Sequence, residues 1–288
     1  GPPLRLDSGG FVAGPPPLVG AGVVPPAGDW VLVASGRWLP VPPYGLWRVD
    51  PTTLDTTRIT SGGLLVQPSH VAVDRAGIIY VTDVTSGVVS VDPATGAQSL
   101  FLSPAALGGR TASGICLADD STLVITSIGS GLGMVLSVNP RTRDVTVITQ
   151  GDLLENPTCV AVGPGGTLYV GDSGANSASG GSGSIVRVEP SGAQSLFANG
   201  ALFHSPFDIA ISSDGWIWTA QWGWTSRRDG GFLRTRLGDG VTERVPSDRS
   251  QGVAATQDDV FLADCYSVSL DCAGRFVHRY QAGTMRYL

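Results

Sequence analysis

One pattern, returning about every 45 residues, constrains this chain more than any other feature. Its best-formed copy is Pro68–Pro93, PSHVAVDRAGIIYVTDVTSGVVSVDP. Val71 and Val73 flank Ala72, the period-two pattern of a half-buried strand. Asp74-Arg75-Ala76-Gly77 reads as a turn, since Asp can bond its own backbone and Gly can take a positive φ. Ile78 to Thr82 is β-branched and aromatic, a second strand. Ser86-Gly87 turns the chain again, and Val88 to Val91 is a third strand ended by Asp92-Pro93, because proline cannot donate to a ladder. Ala94-Thr95-Gly96 leads into a fourth strand near Gln98–Leu102. The unit predicts a four-stranded antiparallel meander.

The copies align on the lead position of the first strand, which His70 holds here. Its equivalents are Ala21, Gly114, Cys159, Asp208 and Gly252, so successive units are offset by 49, 44, 45, 49 and 44 residues. The second strands fall into line as WVLVAS, IIYVTD, TLVITS, TLYVGD, WIWTAQ and VFLAD. Four strands per unit at this period predict an all-β, six-bladed β-propeller of four-stranded antiparallel blades. The blades span approximately 18–65, 66–110, 111–155, 156–204, 205–249 and 250–288, the last completed by residues 4–8. Leu4–Gly10 resembles the fourth strand of the first unit, Arg58–Gly63, and the expectation is that this N-terminal strand closes the ring; the alternative is Thr284–Leu288 as the last strand. Gly1-Pro2 reads as a cleavage scar and residues 3–288 as a single domain.

The composition agrees. Apolar residues make up 42 % and charged residues 15 %, with 40 Gly and 20 Pro, which suits short strands and many turns. A net charge of −6, carried against 18 basic residues that are all arginine, argues against nucleic-acid binding. No apolar run reaches the roughly 18 residues of a membrane helix. A monomer, secreted or periplasmic and bacterial, is expected.

The run P-x-x-[VI]-A-[VI]-x-x-x-G-x-[IL]-Y-V-x-D, present at Pro68–Asp83 and Pro157–Asp172, resembles NHL-type repeats. It is similar to the wider group of six-bladed propellers that includes gluconolactonases and strictosidine-synthase-like proteins, and more distantly to virginiamycin B lyase. The resemblance covers nearly the whole chain and implies the architecture. It implies little about activity, since the fold hosts binders and enzymes alike. Gluconolactonase-like proteins hold a metal partly through Asn or Asp just before the lead glycine. The matching positions here are Gly20, Ser69, Ser113, Thr158, Phe207 and Gln251, with neither residue among them. The lyase has a Glu where WIWTAQ ends in Gln221. Neither catalytic set carries over.

Propeller topology puts the lead positions and the connections between second and third strands on one face. That face collects His70, Cys159 and Asp208 from the lead positions, and Ser35, Asp83, Ser127, Asp172, Gln221 and Asp264 from the second-strand ends. Its connections differ in length: Ser86-Gly87 is minimal, whereas GRWLPVPPY, SGANSASGGSGS, WGWTSRRDGG and CYSVSLDCAG are long. Length variation on one face marks where function is carried. Asp83, Asp172 and Asp264, with Asp208, could ring the channel mouth and hold a divalent cation, or each could bond backbone N–H groups at its strand end. No other cofactor is expected. His70, oriented by Asp83 or Asp208, could act as a general base, with His204 nearby. Trp222, Trp224, Arg227 and Arg228, with Trp38 and Tyr44, could form an aromatic pocket with a cationic rim for a small molecule or peptide. Cys265 and Cys272 flank a short loop and could pair as a disulfide. Cys116 reads as buried, and Cys159 as the thiol facing the channel. Two functions follow: a propeller that recognises a ligand or protein through the loop-rich face, or a lyase or hydrolase using His70 and nearby aspartates.

Overall fold

The computed structural model describes residues 22–23, 31–35, 44–50, 56–119, 121–129, 132–174, 183–221, 231–245, 250–255, 260–266, 274–281 and 284–287. They form a β-propeller of six four-stranded antiparallel sheets. The first sheet holds β1 to β4 at Gly22–Val23, Val31–Ser35, Gly45–Val49 and Thr56–Ser61. The second holds β5 to β8 at Pro68–Val73, Ile79–Asp83, Gly87–Val91 and Gln98–Leu102. The third holds β9 to β12 at Thr111–Asp119, Thr122–Ile128, Met134–Val138 and Val145–Gln150. The fourth holds β13 to β16 at Pro157–Val162, Leu168–Asp172, Ser184–Val188 and Gln194–Asn199. The fifth holds β17 to β20 at Pro206–Ile211, Trp216–Gln221, Gly231–Arg236 and Thr242–Val245. The sixth holds β21 to β24 at Ser250–Ala255, Val260–Tyr266, Gly274–Gln281 and Thr284–Tyr287.

The first strand of each sheet lies innermost. β5, β9, β13, β17 and β21 touch in succession, and β1 touches both β21 and β5, so the ring closes through its inner strands. The last place in the sixth sheet, expected for residues 4–8, is taken by β24, which pairs with β23 from Gln281↔Thr284 to His278↔Tyr287. Only Ala282-Gly283 separates these strands in sequence, and a two-residue connection costs far less closure entropy than capture of a distant terminus. Residues 4–8 lie outside the described residues.

The alternating strands turn out to be buried on both faces. All six residues of β5 are buried. Val71 and Val73 join the layer between the first and second sheets, and Ala72 joins the layer between the second and third. Stacking each sheet between two others converts a half-buried pattern into a core strand, with the larger side chains sent one way and the smaller the other. Val124 and Val160 belong to the next layer, Ile185 and Ile217 to the one after, and Trp218 with Phe232 to the layer between the fifth and sixth sheets.

Neighbouring sheets are also stapled by side chains. Gln98 of β8 accepts from Leu64 N–H at 2.7 Å and donates to Thr60 Oγ1 and the Gly62 carbonyl of the preceding sheet. Gln194 of β16 repeats this with Leu153, Thr149 and Gly151.

Candidate functional site

The first strands β5, β13, β17 and β21 enter the channel through a bulge. Pairing shifts register between Pro68 and His70, Pro157 and Cys159, Pro206 and Asp208, and Ser250 and Gly252. The skipped residues are Ser69, Thr158, Phe207 and Gln251, the positions where gluconolactonase-like proteins carry a metal ligand. A bulge inserts one unpaired residue and re-aims the side chain that follows. Three of these positions, counting Ser113, carry hydroxyls that run from sheet to sheet. Ser69 Oγ donates to the Ser113 carbonyl, Ser113 Oγ to the Thr158 carbonyl at 2.9 Å, and Thr158 Oγ1 to the Pro206 carbonyl. The last bond falls one residue short of register, onto Pro206 rather than Phe207.

His70 takes up the Phe207 carbonyl from the opposite side of the channel. Its Nε2 lies 2.8 Å from that oxygen, and its ring stands 5.6 Å from the Phe207 ring. β5 and β17 are separated by β9 and β13 on one side and by β21 and β1 on the other, so this bond spans the ring. Asp208 sits beside it. His70 Nε2 is 3.8 Å from Asp208 Oδ1, too far for a hydrogen bond. The Asp208 carboxyl accepts instead from Ile209 N–H at 2.9 Å and Val253 N–H at 2.8 Å. Burial pushes its pKa up to about 8, against the pull of those two N–H groups.

Asp83 is committed elsewhere. It is 0 % exposed, Oδ2 accepts from Val66 and Gln67 N–H, and Oδ1 accepts from Thr85 and Ser86 N–H. Asp172 does the same, with Oδ2 taking Glu155 and Asn156 N–H and Oδ1 taking Gly174 N–H at 2.7 Å. Burial raises its pKa to about 6. Gln221 Oε1 accepts from His204 and Ser205 N–H, a third use of the same place. In all three the bonded pair of N–H groups immediately precedes the proline that starts the next first strand's ladder: Pro68, Pro157 or Pro206. Ser127 occupies the equivalent position in the third sheet with a shorter side chain, and its buried hydroxyl has no partner among the described residues. Of Asp264 only the backbone is described, paired with Ser250 and Phe276.

Of the two cysteines, Cys159 lies elsewhere than expected. Cys159 is fully buried between the fourth and fifth sheets, its sulfur against Gly171, where a Cβ would sit 2.5 Å away. The absent side chain at Gly171 makes the room that draws the thiol off the channel. Cys116 packs, as expected, into the layer between the third and fourth sheets, and also borders the axial chamber. Burial pushes the Cys116 thiol up to about 12, and burial followed by the Asp208 charge raises Cys159 as well, so neither is a ready thiolate.

His204 is half-buried in the lead-in to β17, and Tyr44 half-buried ahead of β3. Trp38, Trp222, Trp224, Arg227, Arg228 and Cys272 lie outside the described residues, as does the side chain of Cys265. Among the described residues no group of three or more His, Cys, Asp or Glu could hold a metal ion. Nor is any helix there long and apolar enough to cross a membrane.

No family model matches the chain, and no curated protein does. Solved structures do. One is a nidogen/laminin complex, 13 % identical, covering 87 % of this chain and 88 % of that one with a TM-score of 0.66. A second is the calcium-binding protein regucalcin from Agrobacterium tumefaciens, 16 % identical, covering 90 % and 89 % with a TM-score of 0.64. A third is a streptogramin B lyase, 11 % identical, covering 96 % and 84 % with a TM-score of 0.65. Such identities establish the fold and say nothing of the chemistry: the chain is a β-propeller similar in architecture to binding, metal-binding and lyase propellers.

Proposed function

We propose that this is a recognition propeller that binds a small-molecule or peptide ligand through its loop-rich face. One observation carries the reading: four of the polar groups at the channel mouth are spent on the backbone. Asp83, Asp172 and Gln221 hold the lead-in N–H groups, and His70 Nε2 meets the Phe207 carbonyl. A general base needs a free lone pair aimed at a substrate proton, and an aspartate with four N–H donors on it is a poor candidate. The chemistry then falls to the long connections, above all Trp222–Gly231 with its two tryptophans and two arginines. That a propeller of similar fold occurs in a nidogen/laminin complex is in keeping with this. The reading extends to a monomer in an oxidising compartment, where Cys265 and Cys272 pair.

The test is a thermal-shift ligand screen on the full chain with Trp224→Ala, Arg228→Ala and His70→Ala. Hits are expected to weaken in Trp224→Ala or Arg228→Ala and to persist in His70→Ala. Hits lost only in His70→Ala would move function to the channel mouth and favour an enzyme.

A further inference from the structure

We propose that the axial chamber below His70 is a separate binding site for a small organic cation, an ammonium or guanidinium group on a compact apolar body. This does not rest on the loop-face reading. The chamber measures about 200 Å³ and is walled by β5, β9, β13, β17 and β21. An engineered apolar cavity of roughly 150 Å³ takes benzene, so a ring with a short polar arm fits here. The inner strands border it at Val71, Ile115, Leu117, Val160 and Ile209, whose side chains lean into the layers between sheets, and His70 and Asp208, 3 % and 4 % exposed, supply the polar end. The inner strands are sheet edges, so their second edge turns backbone groups toward the same space.

The polar end lacks a positive charge where one would count. Asp208 offers the geometry of a carboxylate, with one N–H on each oxygen, in a site where burial favours the neutral acid. The titratable groups around it among the described residues are His70 on β5, Cys116 on β9 and Cys159 on β13; β21 contributes the Val253 N–H. Of these only His70 can be cationic, and its Nε2 is turned to the Phe207 carbonyl. Each carboxyl oxygen keeps a second lone pair for a ligand N–H. Binding an ammonium ion ionises Asp208 and releases its proton to solvent, so charge is conserved and the equilibrium is linked to pH. A neutral alcohol of the same shape gains a hydrogen bond but neither the ion pair nor the proton release.

Benzylamine and its neutral isostere benzyl alcohol are titrated calorimetrically into the full chain at neutral pH, in two buffers of different ionisation heat. Benzylamine is expected to bind at least about tenfold more tightly, with a buffer-dependent heat that reports proton release. Asp208→Asn is expected to remove both the proton release and the preference for the amine. Ala254→Leu and Cys116→Leu, which add bulk on the strands β21 and β9 that border the chamber, are each expected to abolish binding of both probes, whereas Trp224→Ala leaves binding unchanged. The proposal is overturned if millimolar benzylamine gives no heat, if the two probes bind equally, or if amine binding survives both filling variants in protein that still melts cooperatively. Loss of amine binding in Trp224→Ala overturns it too, by moving the site to the loop face.

Discussion

Replacing Asp83 by alanine separates a scaffold role from a catalytic one. The side chain is buried and accepts four backbone N–H bonds, two per oxygen, joining the lead-in to β5 with the turn after β6. A bond to a charged group contributes about 1.5–3 kcal/mol when measured singly. These four share one carboxylate, and Val66 and Thr85 are exposed, so water replaces part of the loss. About 1 kcal/mol per N–H is the reasonable figure, giving about 4 kcal/mol for Asp83→Ala. Asp83→Asn keeps one oxygen and turns an amide N–H₂ toward the other two donors, so about half is lost. At about 2–4 °C per kcal/mol the alanine variant should melt roughly 10 °C lower. Urea unfolding followed by tryptophan fluorescence measures this through the midpoint, with the slope as a check that the transition is unchanged. An alanine variant with an unshifted midpoint would refute the reasoning and return Asp83 to the candidates for catalysis.

Two further outcomes are expected. Asp208 has a folded pKa of about 8 against an ordinary 3.8, so the fold binds a proton that the unfolded chain has lost. Its contribution to stability is complete below pH 4 and disappears as pH rises through 8; Asp172, raised to about 6, acts in the same direction over a lower window. Melting temperatures should therefore fall from pH 6 to pH 9, with a flatter profile in Asp208→Asn; equal slopes would remove Asp208 as the cause. Gly114→Ala should cost about 3 kcal/mol, because its Cβ would sit 2.6 Å from the Cys159 Cα of the next sheet, where backbone has to move. A stable Gly114→Ala protein in urea titration would contradict that close approach.

Much of the fold was legible because repetition multiplies a weak signal. A single stretch such as Ile78–Asp83 is an ordinary strand pattern, but six copies at a period near 45 leave a propeller as the solution that buries every copy in the same way. The repeated Asp at the second-strand end, next to a proline-led first strand, was visible too, and the spacing alone allowed both a cation ring and a backbone staple. Hydrogen-bond geometry chose the staple at Asp83 and Asp172. The hydroxyl run through Ser69, Ser113 and Thr158 was missed, although its signal, a Ser or Thr before the lead position, stood in the alignment.

The sequence by itself determined the meander, its period and which residues stand at the lead and exit positions, because these follow from periodicity of two and local turn chemistry. Tertiary structure alone decided where those side chains go. Alternation cannot see a bulge, so it could not tell that Cys159 turns off the channel and into the core. It cannot see ring closure either. The bond from His70 to the Phe207 carbonyl joins residues 137 apart, and it exists only because the ring brings opposite blades within reach across a narrow axis.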